Sequence, residues 1–219
     1  MQLPPLRMLT PALLVLGACA AHAPQIPSST TSPLKENPGM SASTTTPSSQ
    51  APAPLPQSTR TAPELLQGLL DLFRASKSAD DFTMDAVSKA LGVPMQRFDA
   101  NSFGAGATLT PEWDWSLEIT VKPNRDAPRL NFAFRPSPTL GSNAAPSMTD
   151  ICQMDFDQFS KNLENMGFKR TPYYAEHGRH LKDIFNGEEM RIEIYPEGEA
   201  SETIEAITHK CVKGFRVFA

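Results

Sequence analysis

The chain has 219 residues, with 20 Lys and Arg against 24 Asp and Glu and a formal charge of −4. This balance excludes the basic face needed to neutralise nucleic-acid phosphates, so no nucleic-acid partner is expected. The 21 prolines and a Ser/Thr-rich first quarter indicate that only part of the length folds.

Residues 1–18 carry one basic residue, Arg7, then an apolar run from Met8 to Leu16 broken by Thr10 and Pro11, and end in Gly17 and Ala18. Spanning a bilayer takes roughly 20 apolar residues, so this run has the length of a signal-peptide core rather than a transmembrane helix. The tetrapeptide Leu16-Gly17-Ala18-Cys19 resembles the lipobox of bacterial lipoproteins. That resemblance implies removal of residues 1–18 and acylation of the Cys19 thiol as the first group of the mature chain. Ala20 behind it implies sorting to the outer membrane, with the chain facing the periplasm. Each acyl chain contributes about 0.8 kcal/mol per buried CH2 and one alone binds reversibly, so two or three would make attachment lasting. Cleavage after Ala21-His22-Ala23 is the other reading and would release a soluble secreted protein.

Residues 19–60 are Pro, Ser, Thr, Ala and Gln with few large apolar side chains, as in Ser41-Ala42-Ser43-Thr44-Thr45-Thr46-Pro47. Such a stretch cannot bury enough surface to offset the entropy of ordering, so a disordered tether is expected. About 40 residues reach on the order of 120 Å as polyproline II and average about 35 Å as a coil.

A single domain is expected over 61–219. Thr61-Ala62-Pro63-Glu64 is a capping box with proline in the first turn, followed by the apolar stripe of Leu65, Leu66, Leu69, Leu70, Leu72 and Phe73. Thr83 caps a second helix, Phe82 can staple onto Val87, and Gly92 stops it. After a Gly/Asn loop, Trp113 to Val121 alternates apolar and polar residues as a half-buried strand does, and Leu130, Phe132 and Phe134 repeat the pattern. Trp113 and Trp115 fall on one side of that strand, which favours core packing over an exposed stacking surface.

Asp155 or Asp157 caps a third helix bearing Phe159, Leu163 and Met166, which Gly167 closes. Capping also accounts for Asp155-Phe156-Asp157 better than calcium, because the further oxygen ligands and glycine of a calcium loop are missing. Phe168 to Tyr174 should be extended. Asn186-Gly187 is expected to turn a hairpin between His180–Phe185 and Met190–Tyr195, and a final strand set should run from about Thr203 to Phe218, with a bulge at Gly214. The order ααββαβββ predicts an α+β fold, an antiparallel sheet of about five to six strands with helices packed on one face and no internal repeat.

With Cys19 acylated, Cys152 and Cys211 remain, and an exported pair is expected to form a disulfide worth on the order of 4 kcal/mol of loop-closure entropy. The alternative makes Cys152 a nucleophile with His209 or His177 as base. Polar side chains are densest over Tyr173-Tyr174-Ala175-Glu176-His177-Gly178-Arg179-His180. His177 and His180 alone fall short of the three or four ligands zinc takes, so neither a metal nor a cofactor is expected. Tyr and Arg are enriched among interface anchors, which makes Tyr173, Tyr174, Glu176, His177, Arg179 and His180 the candidate partner-binding set.

Anchor, tether and a small disulfide-closed domain together look similar in layout to immunity lipoproteins that neutralise a toxin or lytic enzyme in the periplasm. The expected function is therefore a non-enzymatic binding module for an envelope protein. The alternatives are a hydrolase using Glu176, His177 or Cys152, and an assembly lipoprotein docking on an outer-membrane complex by an apolar face.

Overall fold

The computed structural model describes residues 54–124, 126–140, 146–198 and 209–219. The signal peptide, Cys19 and the tether up to residue 53 lie outside the described residues, as does the expected strand start at Thr203. The fold is α+β, with the antiparallel sheet larger than the sequence suggested. Among the described residues its strands number eight: β1 (Gln96–Arg97), β2 (Ser102–Thr108), β3 (Trp113–Thr120), β4 (Leu130–Pro136), β5 (Lys169–Tyr174), β6 (His180–Asn186), β7 (Arg191–Gly198) and β8 (Lys210–Phe218). The helices are α1 (Ala62–Ala75), α2 (Met84–Leu91) and α3 (Phe156–Asn165).

The helix boundaries follow the capping signals. Thr61 N–H donates to Glu64 Oε2 at 2.8 Å, Thr83 Oγ1 accepts from Ala86 N–H, and Asp155, not Asp157, caps α3 by accepting from Gln158 N–H at 2.7 Å. Gly92 ends α2 in the left-handed region at φ 65°. Helix α2 crosses α1 at Gly68, where a Cβ would stand 2.5 Å from the Ala90 carbonyl oxygen. Only glycine permits that approach.

Two strands were hidden in the expected Gly/Asn loop. Ser102-Phe103-Gly104-Ala105-Gly106-Ala107-Thr108 pairs along its whole length with β3, from Ser102↔Thr120 to Thr108↔Asp114. Glycine and alanine have low strand propensity, so the alternation signal is absent, yet Phe103 and Ala107 are buried on the core side. A Cβ at Gly104 would meet Leu117 O at 2.0 Å. The short β1 pairs with β2 through Gln96↔Gly104 and Arg97↔Phe103.

The strand order β1-β2-β3-β4-β8-β7-β6-β5 consists of two four-stranded meanders joined where β4 meets β8. A helical segment precedes each meander, so the architecture is duplicated although no repeat is visible in the sequence. The hairpin expected at Asn186-Gly187 reverses two residues later. Asn186 still pairs with Arg191, and Gly187 N–H donates to Met190 O at 2.9 Å, leaving Glu188 and Glu189 at the turn. The bulge in β8 falls at Lys213 rather than Gly214, since Tyr195 faces Gly214 and Pro196 faces Val212.

One face of the sheet carries the apolar residues and is covered by helices. Phe215 of β8 stacks on Phe132 of β4 at 5.2 Å and on Phe159 of α3 at 5.6 Å, and meets Phe73 of α1 edge-on at 5.6 Å. Both tryptophans are buried, with Trp113 Nε1 donating to Ser147 O and Trp115 Nε1 to Ser58 Oγ. Residues 54–60, within the expected tether, lie along the sheet edge. Thr108 N–H donates to Pro56 O, and Ser58 N–H donates to Thr108 O. Cys152 and Cys211 form a disulfide with Cα atoms 4.8 Å apart, tying the approach to α3 to the start of β8.

Because Phe215 joins both meanders and two helices, Phe215→Ala should destabilise the domain by about 3–5 kcal/mol. Denaturant unfolding followed by tryptophan fluorescence measures this, with Phe218→Ala at the rim of the core expected to cost less.

Candidate functional site

The six candidate residues all lie on β5, the turn after it, and the first residue of β6, at one edge of the sheet. In β5, Tyr173 pairs with Lys182 and Tyr174 with His180, with Leu181 as the extra residue of a bulge. Consecutive tyrosines point to opposite faces of the edge strand, and the bulge turns His180 to the face opposite Lys182, so that each lies beside one tyrosine. Tyr173 lies on the open face under Lys182 Nζ, 5.6 Å from the ring centroid, and Tyr174 covers His180 on the helix side at 5.3 Å. Both remain half-exposed, at 51% and 57%.

The turn between them is fixed by backbone bonds, Ala175 N–H to Arg179 O at 2.8 Å and Gly178 N–H to Ala175 O at 3.2 Å. His177 adopts φ 61° and Gly178 φ 73°. A non-glycine residue there is uncommon, although histidine is among the residues that tolerate it. Glu176, His177 and Arg179 are exposed on this turn.

His180 points inward instead. Beneath Tyr174 lies Asp183, fully buried, with Oδ2 accepting from Arg170 Nε and Oδ1 bonded to His180 Nε2 at 2.5 Å. Lys210 Nζ donates to His180 Nδ1 at 3.0 Å. An ammonium donor on Nδ1 requires the lone pair there, which assigns the proton to Nε2 and makes it the donor to Asp183. The Arg170 guanidinium sits over the Phe156 ring at 5.2 Å and reaches Asp157 at 3.8 Å. Together these groups line a cleft of about 190 Å³. Both imidazole nitrogens and both Asp183 oxygens are engaged, so neither of these two groups is free as a base in this arrangement. The cluster fixes the root of the hairpin and holds Tyr174 from below.

A second buried carboxylate fixes the open face. Glu193, 7% exposed, accepts from Lys182 Nζ at 2.7 Å and from Tyr195 O–H at 3.0 Å. Burial alone would raise its pKa, but the Lys182 and Tyr195 hydrogen bonds and the charges of Lys182 and Arg191 outweigh it and hold the carboxyl below its ordinary value. Tyr195 moves upward, from burial first and then from its bond to the Glu193 carboxylate.

Sequence reading missed Arg170, Asp183, Lys182, Glu193 and Lys210, whose roles arise across strands. It also missed a groove at the opposite edge, about 560 Å³, lined by Leu55, Pro56, Val93, Phe98, Ala107 and Trp115 among others. Thr108 bonds outward to residues 56 and 58, so the backbone N–H and C=O of Gly106, two residues away, point outward into this groove as well. Leu55 and Phe98 here, with Tyr173 and Tyr174 across the sheet, make up the exposed large hydrophobic residues among those described.

Among the described residues, one group brings three metal-ligating side chains within 4.8 Å, namely Cys152, His209 and Cys211, and its two sulfurs are bonded to each other. His177 and His180 do not converge. No described helix is long and apolar enough to cross a membrane. Comparison of the chain with protein-family models, curated proteins and solved structures finds no match.

Glu193→Gln should lower stability at pH 7 by about 1–2 kcal/mol, since hydrogen bonds to a charged acceptor exceed neutral ones. The folded-state pKa is depressed, so this contribution is complete above the ordinary value of 4.5 and fades as pH falls through the lower folded value. Unfolding curves of the two proteins measured from pH 7 to pH 3 should therefore converge at the acid end.

Proposed function

We propose that the chain is a bacterial envelope lipoprotein, held in the outer membrane by an acylated Cys19, whose domain binds a protein partner through the β5–β6 end without transforming it. A partner class that suits this layout is a toxin or lytic enzyme delivered into the periplasm, blocked by side chains inserted into its active-site cleft.

The observation that carries the reading is the pair Tyr173 and Tyr174, half-exposed yet held by Lys182 against one ring and His180 against the other. Rigid aromatic side chains that lose little freedom on binding make strong anchors. The turn adds Glu176, His177 and Arg179 as polar contacts whose backbone is already fixed. Pro172 on the edge strand and the bulge after it interrupt any strand added there, so recognition falls to side chains.

For the hydrolase alternative, which rests on Glu176, His177 or Cys152, the Cys152 sulfur is bonded to Cys211, and Glu176 and His177 stand exposed on the turn. The assembly alternative has one observation in its favour, the apolar groove flanked by Leu55 and Phe98.

Affinity of the full-length protein for its envelope partner separates the two binding readings. Alanine at Tyr173 and Tyr174 should weaken binding about 30-fold, equivalent to about 2 kcal/mol, whereas alanine at Leu55 and Phe98 should leave it unchanged. The opposite pattern transfers the interface to the groove. Separately, Cys19→Ser should move the protein from the membrane to the soluble envelope fraction, and mass spectrometry of the native N-terminus should find an acylated Cys19. A native chain retaining Met1 would sink the anchor.

A further inference from the structure

Away from the hairpin, the disulfide has a polar neighbour that a plain staple does not need. His209, half-exposed, places Nδ1 3.6 Å from Cys152 Sγ, and its Nε2 faces Asp155 Oδ2, also at 3.6 Å. Asp155 is anchored in turn, because its Oδ1 caps α3 through Gln158 N–H. The carboxylate therefore stands on the far side of a ring whose near nitrogen meets the sulfur. The two sulfurs are unequal. Cys211 is fully buried, whereas Cys152 keeps 9% of its surface exposed and has half-exposed His209 beside its sulfur.

We propose that Cys152–Cys211 is a thiol-exchanging disulfide that oxidises a dithiol. Cys152 is the sulfur under attack, His209 stabilises its thiolate, and Asp155 positions His209. Access decides the direction of the first step. A substrate thiolate attacks Cys152 Sγ, the Cys152–Cys211 bond breaks, and Cys211 leaves with the electron pair and takes a proton from solvent. A mixed disulfide between substrate and Cys152 remains. The second substrate thiol, having lost its proton, attacks the substrate sulfur of that mixed disulfide and releases Cys152 as a thiolate beside His209. Two electrons pass from the dithiol to the cysteine pair. The substrate ends as a disulfide, and the chain carries two reduced cysteines.

His209 acts on the second step and on the equilibrium. A thiolate that is stabilised departs faster, and a stabilised reduced form makes its disulfide a stronger oxidant. A sulfur that keeps some solvent access, a fully buried resolving sulfur and an imidazole within reach of the first are features that separate exchanging pairs from inert staples. Asp155 is a positioning residue, since it touches His209 and not the sulfur. The proposal does not depend on the partner reading, because none of these residues lies on the hairpin.

The experiment uses the full-length chain with Cys19→Ser, so that these two cysteines are the only ones. The protein is equilibrated in reduced and oxidised glutathione buffers of graded ratio, and the reduced fraction is counted by alkylation and mass spectrometry. His209→Ala should shift the equilibrium about tenfold towards the disulfide, with thermal stability of the oxidised form unchanged. In a Cys211→Ser variant, iodoacetamide should alkylate Cys152 readily at pH 6–7, and adding His209→Ala should slow that reaction at pH 6–7 while leaving it unchanged at pH 10. A glutathione equilibrium indifferent to His209, or a disulfide that dithiothreitol opens only on unfolding, overturns the proposal. Should Cys211→Ser fail to fold, the glutathione titration decides alone.

Discussion

The seam between β4 and β8 is the constraint on which the rest of the molecule depends. The last strand of the chain inserts between β4 and β7, so the two meanders form one sheet only when the C-terminus arrives. Its register is set by Leu130↔Val217 and Phe132↔Phe215, and Gly214 lets the strands approach where a Cβ would stand 2.6 Å from Phe132 O. Phe215 then occupies the point where α1, α3 and both meanders meet. Placing β8 in the centre has a direct consequence at the margins. The edges become β1 and β5, and the exposed large apolar side chains among the described residues stand at these two edges.

Legibility in the sequence followed the range of the interactions. All three helices could be placed because their caps are local: Thr61 with Glu64, Thr83 with Ala86 and Asp155 with Gln158 lie three residues apart. The β3 and β4 strands could be placed because a solvent-exposed face and a helix-covered face impose alternation. Strand β2 escaped detection because its open-face positions are Gly104 and Gly106, where close backbone approach leaves no side chain to alternate. The turn residues Asn186-Gly187 stayed paired in the ladder, so strand pairing outweighed local turn preference.

The candidate site divides along the same line. Its exposed part, Tyr173 to Arg179, is contiguous in the chain and could be read from composition. Its foundation could not, because Asp183 meets Arg170 across the β5–β6 pair and Lys210 reaches His180 from a strand 30 residues away. His180 looked like a surface residue and is a structural one. Two carboxylates, Asp183 on the helix side and Glu193 on the open side, secure β6 from both faces. Burying such groups costs desolvation energy that their partners offset, and their value lies in admitting a single arrangement of the strands. Removing one partner leaves the other charge buried, so the hairpin can occupy one geometry or lose it.

Three consecutive residues, His209 just before β8 and the first two of the strand, connect this foundation to the disulfide. His209 faces Cys152, Lys210 donates to His180, and Cys211 carries the crosslink. Their side chains serve different neighbours, but their backbone is one short segment, further held by the bridge between Asp155 and Cys211. A strand's first residues have ladder partners on one side only of their length, so they fray unless tied. The crosslink supplies that tie, and it acts one residue from the ammonium that fixes the His180 tautomer. The position of Lys210, and through it the support beneath Tyr174, therefore depends on how the first residues of β8 are held.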